Sequence, residues 1–194
     1  MRHFNYPKYF NYLILVAVLG SLQGCFPIVA AGVGTGALMA ADRRTTGTYI
    51  EDEGIEDKAA NLISIKYKDT AHVNVTSFNR HVLVTGEAPN EDAKADIAKI
   101  VESVANVKAV SNELVVSGNT GLTSRSSDSI ITGDVKVRFV NNKVFQPDHV
   151  KVVTENGVVF LMGLVYHKEA DSATEIASTT SGVQRVVKVF EYLD

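Results

Sequence analysis

Apolar and polar residues alternate with a period of two through Val150 and Val152, and again through Val159 and Leu161. Such alternation marks a strand covered on one face. Asn156-Gly157 stands between the two runs, and both residue types tolerate the positive φ that a type I′ turn needs at its two central positions. His149 to Val165 therefore predicts a β-hairpin. Gly163, inside the second run, predicts a bulge or a close backbone approach. The same pattern stands 77 residues earlier, without a gap. His72 aligns with His149, Val73 with Val150, Val75 with Val152, Asn79 with Asn156, Val82 with Val159 and Gly86 with Gly163. An internal repeat of this kind means that two copies of one unit make up most of the chain.

The first unit is read as residues 49–117. Ile55, Ala59, Leu62 and Ile63 recur at helical spacing and predict an opening helix. The hairpin 72–87 follows. Pro89-Asn90-Glu91-Asp92 combines a turn residue, a capping Asn and first-turn acids, which predicts a helix start. That helix carries Ala93, Ile97, Ile100, Val101 and Val104, and a strand from Val107 to Val116 closes the unit. Residues 118–128 (GNTGLTSRSSD) read as a polar linker. Residues 129–194 repeat the order, with a helix from Ile130, the hairpin 149–165, a helix from His167 to about Thr180, and a strand from Val183 to Leu193. Ser181-Gly182-Val183 matches Ala105-Asn106-Val107. Each unit is helix–strand–strand–helix–strand. The fold class is therefore α+β, each unit a three-stranded mixed sheet with two helices on one face. Cores of about 65 residues are small, so packing the units together would add stability.

The start of the chain has a different character. Residues 1–24 place Arg2 and Lys8 before a short apolar core, Tyr12 to Gly20. This predicts a secretory signal too short to span a bilayer as a mature helix. Leu22-Gln23-Gly24-Cys25 follows at once and is similar to the lipobox of bacterial lipoproteins, in which Cys25 is acylated and becomes the mature N-terminus. Several acyl chains hold a protein stably on a membrane where one does not. Phe26 stands where Asp commonly directs inner-membrane retention, which implies the outer membrane, facing the periplasm. Residues 25–48 read as the lipidated cysteine and a Gly/Ala-rich tether. Gly32-x-Gly34-x-x-Ala37 within it lacks the βαβ setting of a dinucleotide-binding turn.

Val82-Leu83-Val84-Thr85-Gly86 and Val159-Phe160-Leu161-Met162-Gly163, each followed by an Ala-containing helix, a turn before a valine and a closing strand, resemble the BON domain. The first unit departs from that pattern at Arg80 and Asn106. Two such domains behind a lipobox resemble the dual BON-domain outer-membrane lipoproteins. The resemblance implies tandem BON-like domains, binding of anionic phospholipid, support of outer-membrane integrity and a place at division sites.

Net charge is −3, and loss of residues 1–24 leaves 17 basic against 22 acidic side chains, or −5. No basic stripe of the kind nucleic acid needs is present, so no nucleic-acid partner is expected. Among 194 residues neither Gly-x-Ser-x-Gly nor His-Glu-x-x-His occurs. No catalytic residue, cofactor or metal site is expected. His72 and His149 occupy equivalent strand starts, a placement that shared ancestry explains without a metal. Glu51-Asp52-Glu53 and Glu91-Asp92 read as solvated faces and helix starts.

The two opening helices differ. At about 100° per residue, Ile131, Val135 and Phe139 form one stripe of the second. Ile130, Gly133, Val137 and Val140 form another on the far side, flanked by Lys136 and Lys143. A second apolar face must be covered. One reading packs it against the other unit or the tether. Another docks an envelope protein partner concerned with assembly or peptidoglycan remodelling. A third lets it enter lipid, with the lysines at phosphates. Residues 130–151 hold Lys136, Arg138, Lys143 and Lys151 against Asp134 and Asp148, a local basic excess on an acidic chain.

Overall fold

The computed structural model describes residues 42–117 and 122–194. The signal segment, Cys25 with its lipobox, and most of the tether lie outside the described residues. The first domain comprises α1 (Thr46–Tyr67), β1 (His72–Phe78), β2 (His81–Ala88), α2 (Glu91–Glu102), β3 (Ala109–Asn112) and β4 (Val115–Val116). The second comprises α3 (Leu122–Val140), a 3₁₀ turn (Pro147–His149), β5 (Val150–Glu155), β6 (Val158–Val165), α4 (His167–Ser178) and β7 (Arg185–Tyr192). Each sheet is mixed. β2 pairs antiparallel with β1 and parallel with β3 and β4, and β6 pairs antiparallel with β5 and parallel with β7.

Both hairpins close through two residues at positive φ, Asn79 (53°) with Arg80 (67°), and Asn156 (50°) with Gly157 (74°). Arg80 holds the conformation that suits Gly157, and Asn106 (φ 73°) does the same for Gly182 (φ 85°). The first unit's departures in sequence therefore preserve the backbone. Gly86 and Gly163 mark a close approach in a continuous ladder. A Cβ on either would stand 2.1 Å from the His72 carbonyl oxygen or 2.4 Å from that of His149.

In each domain a helix sends a buried aspartate into the hairpin turn. Asp52, 2% exposed, accepts the N–H groups of Asn79 (2.8 Å) and Arg80 (2.7 Å) and the hydroxyl of Ser77 (2.6 Å). Asp128 accepts those of Asn156 (2.9 Å) and Gly157 (2.8 Å). Two expectations are corrected here. Asp52 is no solvated acid, because the turn needs an acceptor for its inward N–H groups. Asp128 is no linker residue, because α3 begins at Leu122 and not at Ile130. The closing strand expected from Val107 to Val116 is broken as well. The Asn112 side chain donates to the Lys94 carbonyl and accepts the Leu114 N–H, turning Leu114 into the core.

One face of each sheet carries the domain's own core. Ile55, Ala59, Val82, Val84, Ile97 and Val101 meet in the first, and Ile131, Val135, Phe139, Val159, Leu161 and Ala173 in the second. The opposite faces meet each other, with Phe78 and Leu83 packing on Phe160, Met162, Leu164 and Val189. Polar contacts rim this cluster. Asn74 donates to Glu155 (2.7 Å), Asn156 to Glu87 (2.9 Å), Asn79 to Glu191 (2.7 Å), and Lys151 to Glu56 (2.9 Å). The Asn79 turn thus lies against the end of β7, and the Asn156 turn against the end of β2, so the two sheets run in opposed directions across the interface.

The last residues read as tether are seated on the fold. The Arg43 guanidinium donates to both Glu169 oxygens (2.6 and 2.9 Å) and to the Leu164 carbonyl (2.7 Å) in the second domain. Arg44, its side chain 8% exposed, bonds Asp52 (3.0 Å) and Asp42 (2.7 Å) and lies 4.0 Å above the Phe78 ring. Thr45 then caps α1 by accepting the Thr48 N–H.

Candidate functional site

Three sides of α3 are occupied. Ile131, Val135 and Phe139 enter the core, where Phe139 meets Phe145 edge to face at 5.0 Å. The Thr132 hydroxyl donates to that of Thr154. Arg138 reaches across to the end of α4, donating at 2.6 Å each to the Ile176 carbonyl, which also accepts the Thr180 hydroxyl at 2.8 Å, and to the Thr180 hydroxyl oxygen.

The fourth side is open. Ile130, Val137 and Val140 are 66, 62 and 68% exposed, and no atom lies within 4 Å of the place a Cβ on Gly133 would take. Val144, just past the helix, is also exposed. Nothing among the described residues covers this face, so it does not pack on the first domain. Lys136 and Lys143 are exposed beside it and form no ion pair among the described residues. The basic excess expected over 130–151 is smaller than its sequence suggests, because Arg138 serves α4 and Lys151 serves the interdomain contact with Glu56. Asp134 is exposed on the opposite flank from Lys136. No helix among the described residues is long and apolar enough to cross a membrane, so a lipid contact here would be interfacial.

The histidines are dispersed. The His149 ring lies 3.7 Å from Glu169, His167 bonds Asp194 at 2.7 Å, and His81 bonds the Ser111 hydroxyl at 2.9 Å. Among the described residues no three His, Cys, Asp or Glu side chains converge as metal ligands. Burial alone would raise the Glu169 carboxyl, but hydrogen bonds from Arg43 and the Tyr166 N–H hold it below the usual range. Asp42 is lowered likewise, Arg44 outweighing burial.

This arrangement can be compared with known proteins. The BON domain family model matches residues 51–118 and 127–194. The chain belongs to the BON-domain family. It is 42% identical to the outer membrane lipoprotein DolP of Haemophilus influenzae, over 93% of this chain and 95% of that one. It is 34% identical to a 21 kDa hemolysin of Actinobacillus pleuropneumoniae, over 78 and 79% of the two chains. A solved structure, the C-terminal domain of the type III secretion structural protein CdsD of Chlamydia trachomatis, aligns over 69% of this chain and 96% of its own. Its TM-score is 0.30 and its identity 13%. The two family matches show the expected double-BON architecture. The chain groups with non-enzymatic, outer-membrane BON lipoproteins. Sequence reasoning missed the Asp42–Arg44 strap and the paired turn-capping aspartates. The 77-residue repeat offset brings Asp52 to the Ser129 position, one residue past Asp128. Only a one-residue shift before the hairpin reveals the equivalence.

Proposed function

We propose that this protein is anchored to the outer membrane through acylated Cys25, faces the periplasm, and binds anionic phospholipid through α3 of its second domain. Ile130, Val137 and Val140 enter the headgroup–acyl boundary, Gly133 lets the surface approach the helix backbone, and Lys136 and Lys143 meet phosphates. The observation that carries this reading is the row of three large aliphatic side chains, each more than 60% exposed, directly opposite a buried core stripe. A solvated helix face would hold polar residues at those positions. Support of envelope integrity, and a place at division sites, belong to this reading as consequences of recruiting the protein to anionic lipid.

The alternative, a protein partner docked on α3, shares the apolar requirement. The lysines favour lipid, because an array of phosphates attracts every cation near it at about 1 kcal/mol each. The experiment is co-sedimentation of non-acylated residues 38–194 with vesicles of phosphatidylethanolamine, with and without phosphatidylglycerol. Binding that requires phosphatidylglycerol and disappears in Ile130→Glu supports the reading. Equal recovery of wild type and Ile130→Glu, or no recovery of either, defeats it.

A further inference from the structure

A second surface of the same domain lies where the strap ends. β5 begins, β6 ends and β7 ends on one side of the second sheet, since Val150 pairs with Gly163, and Val165 with Tyr192. Tyr166, Tyr192 and Leu193 emerge here, 46, 40 and 45% exposed. The Arg43 guanidinium stands 5.0 Å above the Tyr166 ring, and His167 stacks on Tyr192 at 4.1 Å. The first domain exposes Val115 and Val116 at the matching end but lacks the tyrosines: Pro89 replaces Tyr166, Val116 replaces Tyr192 and Ser117 replaces Leu193.

The described chain begins at Asp42, and Asp42 to Arg44 are fastened at this end by Glu169 and Asp52. Resting on the reading that Cys25 is acylated, the chain that leads from the anchor joins the described fold beside Tyr166 and not beside the first sheet's far end. The 17 peptide steps from Cys25 to Asp42 span at most roughly 60 Å, so this end stays within reach of the bilayer. Tyrosine, with an apolar ring and a polar tip, is favoured at the boundary of acyl chains and headgroups. α3 ends at Val140, and the chain beyond it, with Lys143 and Val144, leads into this same end through the turn at Pro147–His149.

We infer that Tyr166, Tyr192 and Leu193 form a second lipid contact, seated on the headgroup layer beside the place where the chain from the anchor joins the fold. The occupant is the bilayer that holds the anchor. The strap favours this face by fixing where the chain from the anchor joins the second domain.

The chain contains no tryptophan, so a single introduced indole reports its own environment. Full-length acylated protein is reconstituted in phosphatidylethanolamine–phosphatidylglycerol vesicles containing lipids brominated on the acyl chains. Separate samples carry Tyr192→Trp, Leu193→Trp, Ile130→Trp and the α1 control Ile65→Trp. Leu193→Trp leaves the His167 stack intact and covers the case in which Tyr192→Trp disturbs it. Expected is at least twofold stronger quenching at 192 and 193 than at 65. Quenching at 192 and 193 no greater than at 65, with 130 quenched, overturns this contact while leaving α3 binding in place. Quenching at 192 and 193 without quenching at 130 upholds it and defeats the α3 reading. Absence of quenching at all three overturns both.

Discussion

At the scale of single residues, the buried aspartates decide the most. Asp52 receives two turn N–H groups, a serine hydroxyl and the Arg44 guanidinium in a site closed to water. Each buried donor left without an acceptor costs about 1–3 kcal/mol, and loss of the Asp52 carboxylate strands two turn N–H groups and leaves Arg44 with Asp42 as its remaining carboxylate partner. Asp52→Ala should therefore destabilise the protein by at least about 3 kcal/mol, read from urea unfolding. Asp128→Ala, which strands two backbone donors and no arginine, should cost less. If the two variants unfold at the same urea concentration, Arg44 does not depend on Asp52. The glycines were legible, since Gly86 and Gly163 stand where a side chain would meet a carbonyl at 2.1 and 2.4 Å. The aspartates were not, because an acid in a run of acids looks solvated until the turn it serves has been placed beside it.

At the scale of elements, α3 and the strap answer to different forces. The two apolar stripes of α3 are alike in sequence and opposite in setting, Val135 being fully buried and Ile130 mostly exposed. Val135→Glu should unfold the second domain, because it places an unpaired charge in the core. Ile130→Glu and Val140→Glu should shift stability by no more than about 0.5 kcal/mol, as exposed substitutions usually do. Early melting of Ile130→Glu would mean that its face is covered in solution. The strap is held by charge. The Glu169 and Asp42 carboxyls titrate below their ordinary range when folded, so their contribution is complete above an unfolded pKa of about 4 and is lost as pH falls through the lower folded values. Arg43→Ala should accordingly lower the melting temperature at pH 7, and the difference from wild type should shrink as pH falls from about 4 toward 2. A difference that is constant over that range would leave the strap's stability independent of these carboxylates. The helices and hairpins themselves followed from periodicity. The strap did not, because two arginines after a Gly/Ala-rich stretch carry no period, and their partners lie 126 and 8 residues away.

At the scale of the whole molecule, the repeat was evident from its constant spacing, whereas the way its copies join was not. The outward residues of β6 read as a continuous apolar run, Phe160 and Met162 alternating with the core residues Val159 and Leu161. A strand buried on both faces looks like this, but the run does not identify what covers the second face. Here the cover is Phe78 and Leu83 of the first domain, rimmed by the Asn74–Glu155 and Asn156–Glu87 bonds. Fully burying an aliphatic or aromatic side chain contributes about 1.5–3 kcal/mol, so a cluster of six such residues couples the two domains strongly. The domains should then unfold in one transition. Met162→Asp would put an unpaired charge between the sheets while leaving both internal cores untouched. It should lower the stability of both domains together, followed by hydrogen exchange at Val84 in the first and Leu161 in the second. Accelerated exchange at Leu161 with Val84 unchanged would show two domains that fold independently. Residues 122–194 alone should be poorly soluble, since Phe160, Met162 and Leu164 lose their cover and form an exposed apolar patch. A soluble, cooperatively folded 122–194 fragment would count against the interface as a stabilising element, and would free the second domain to move independently of the strap and first domain.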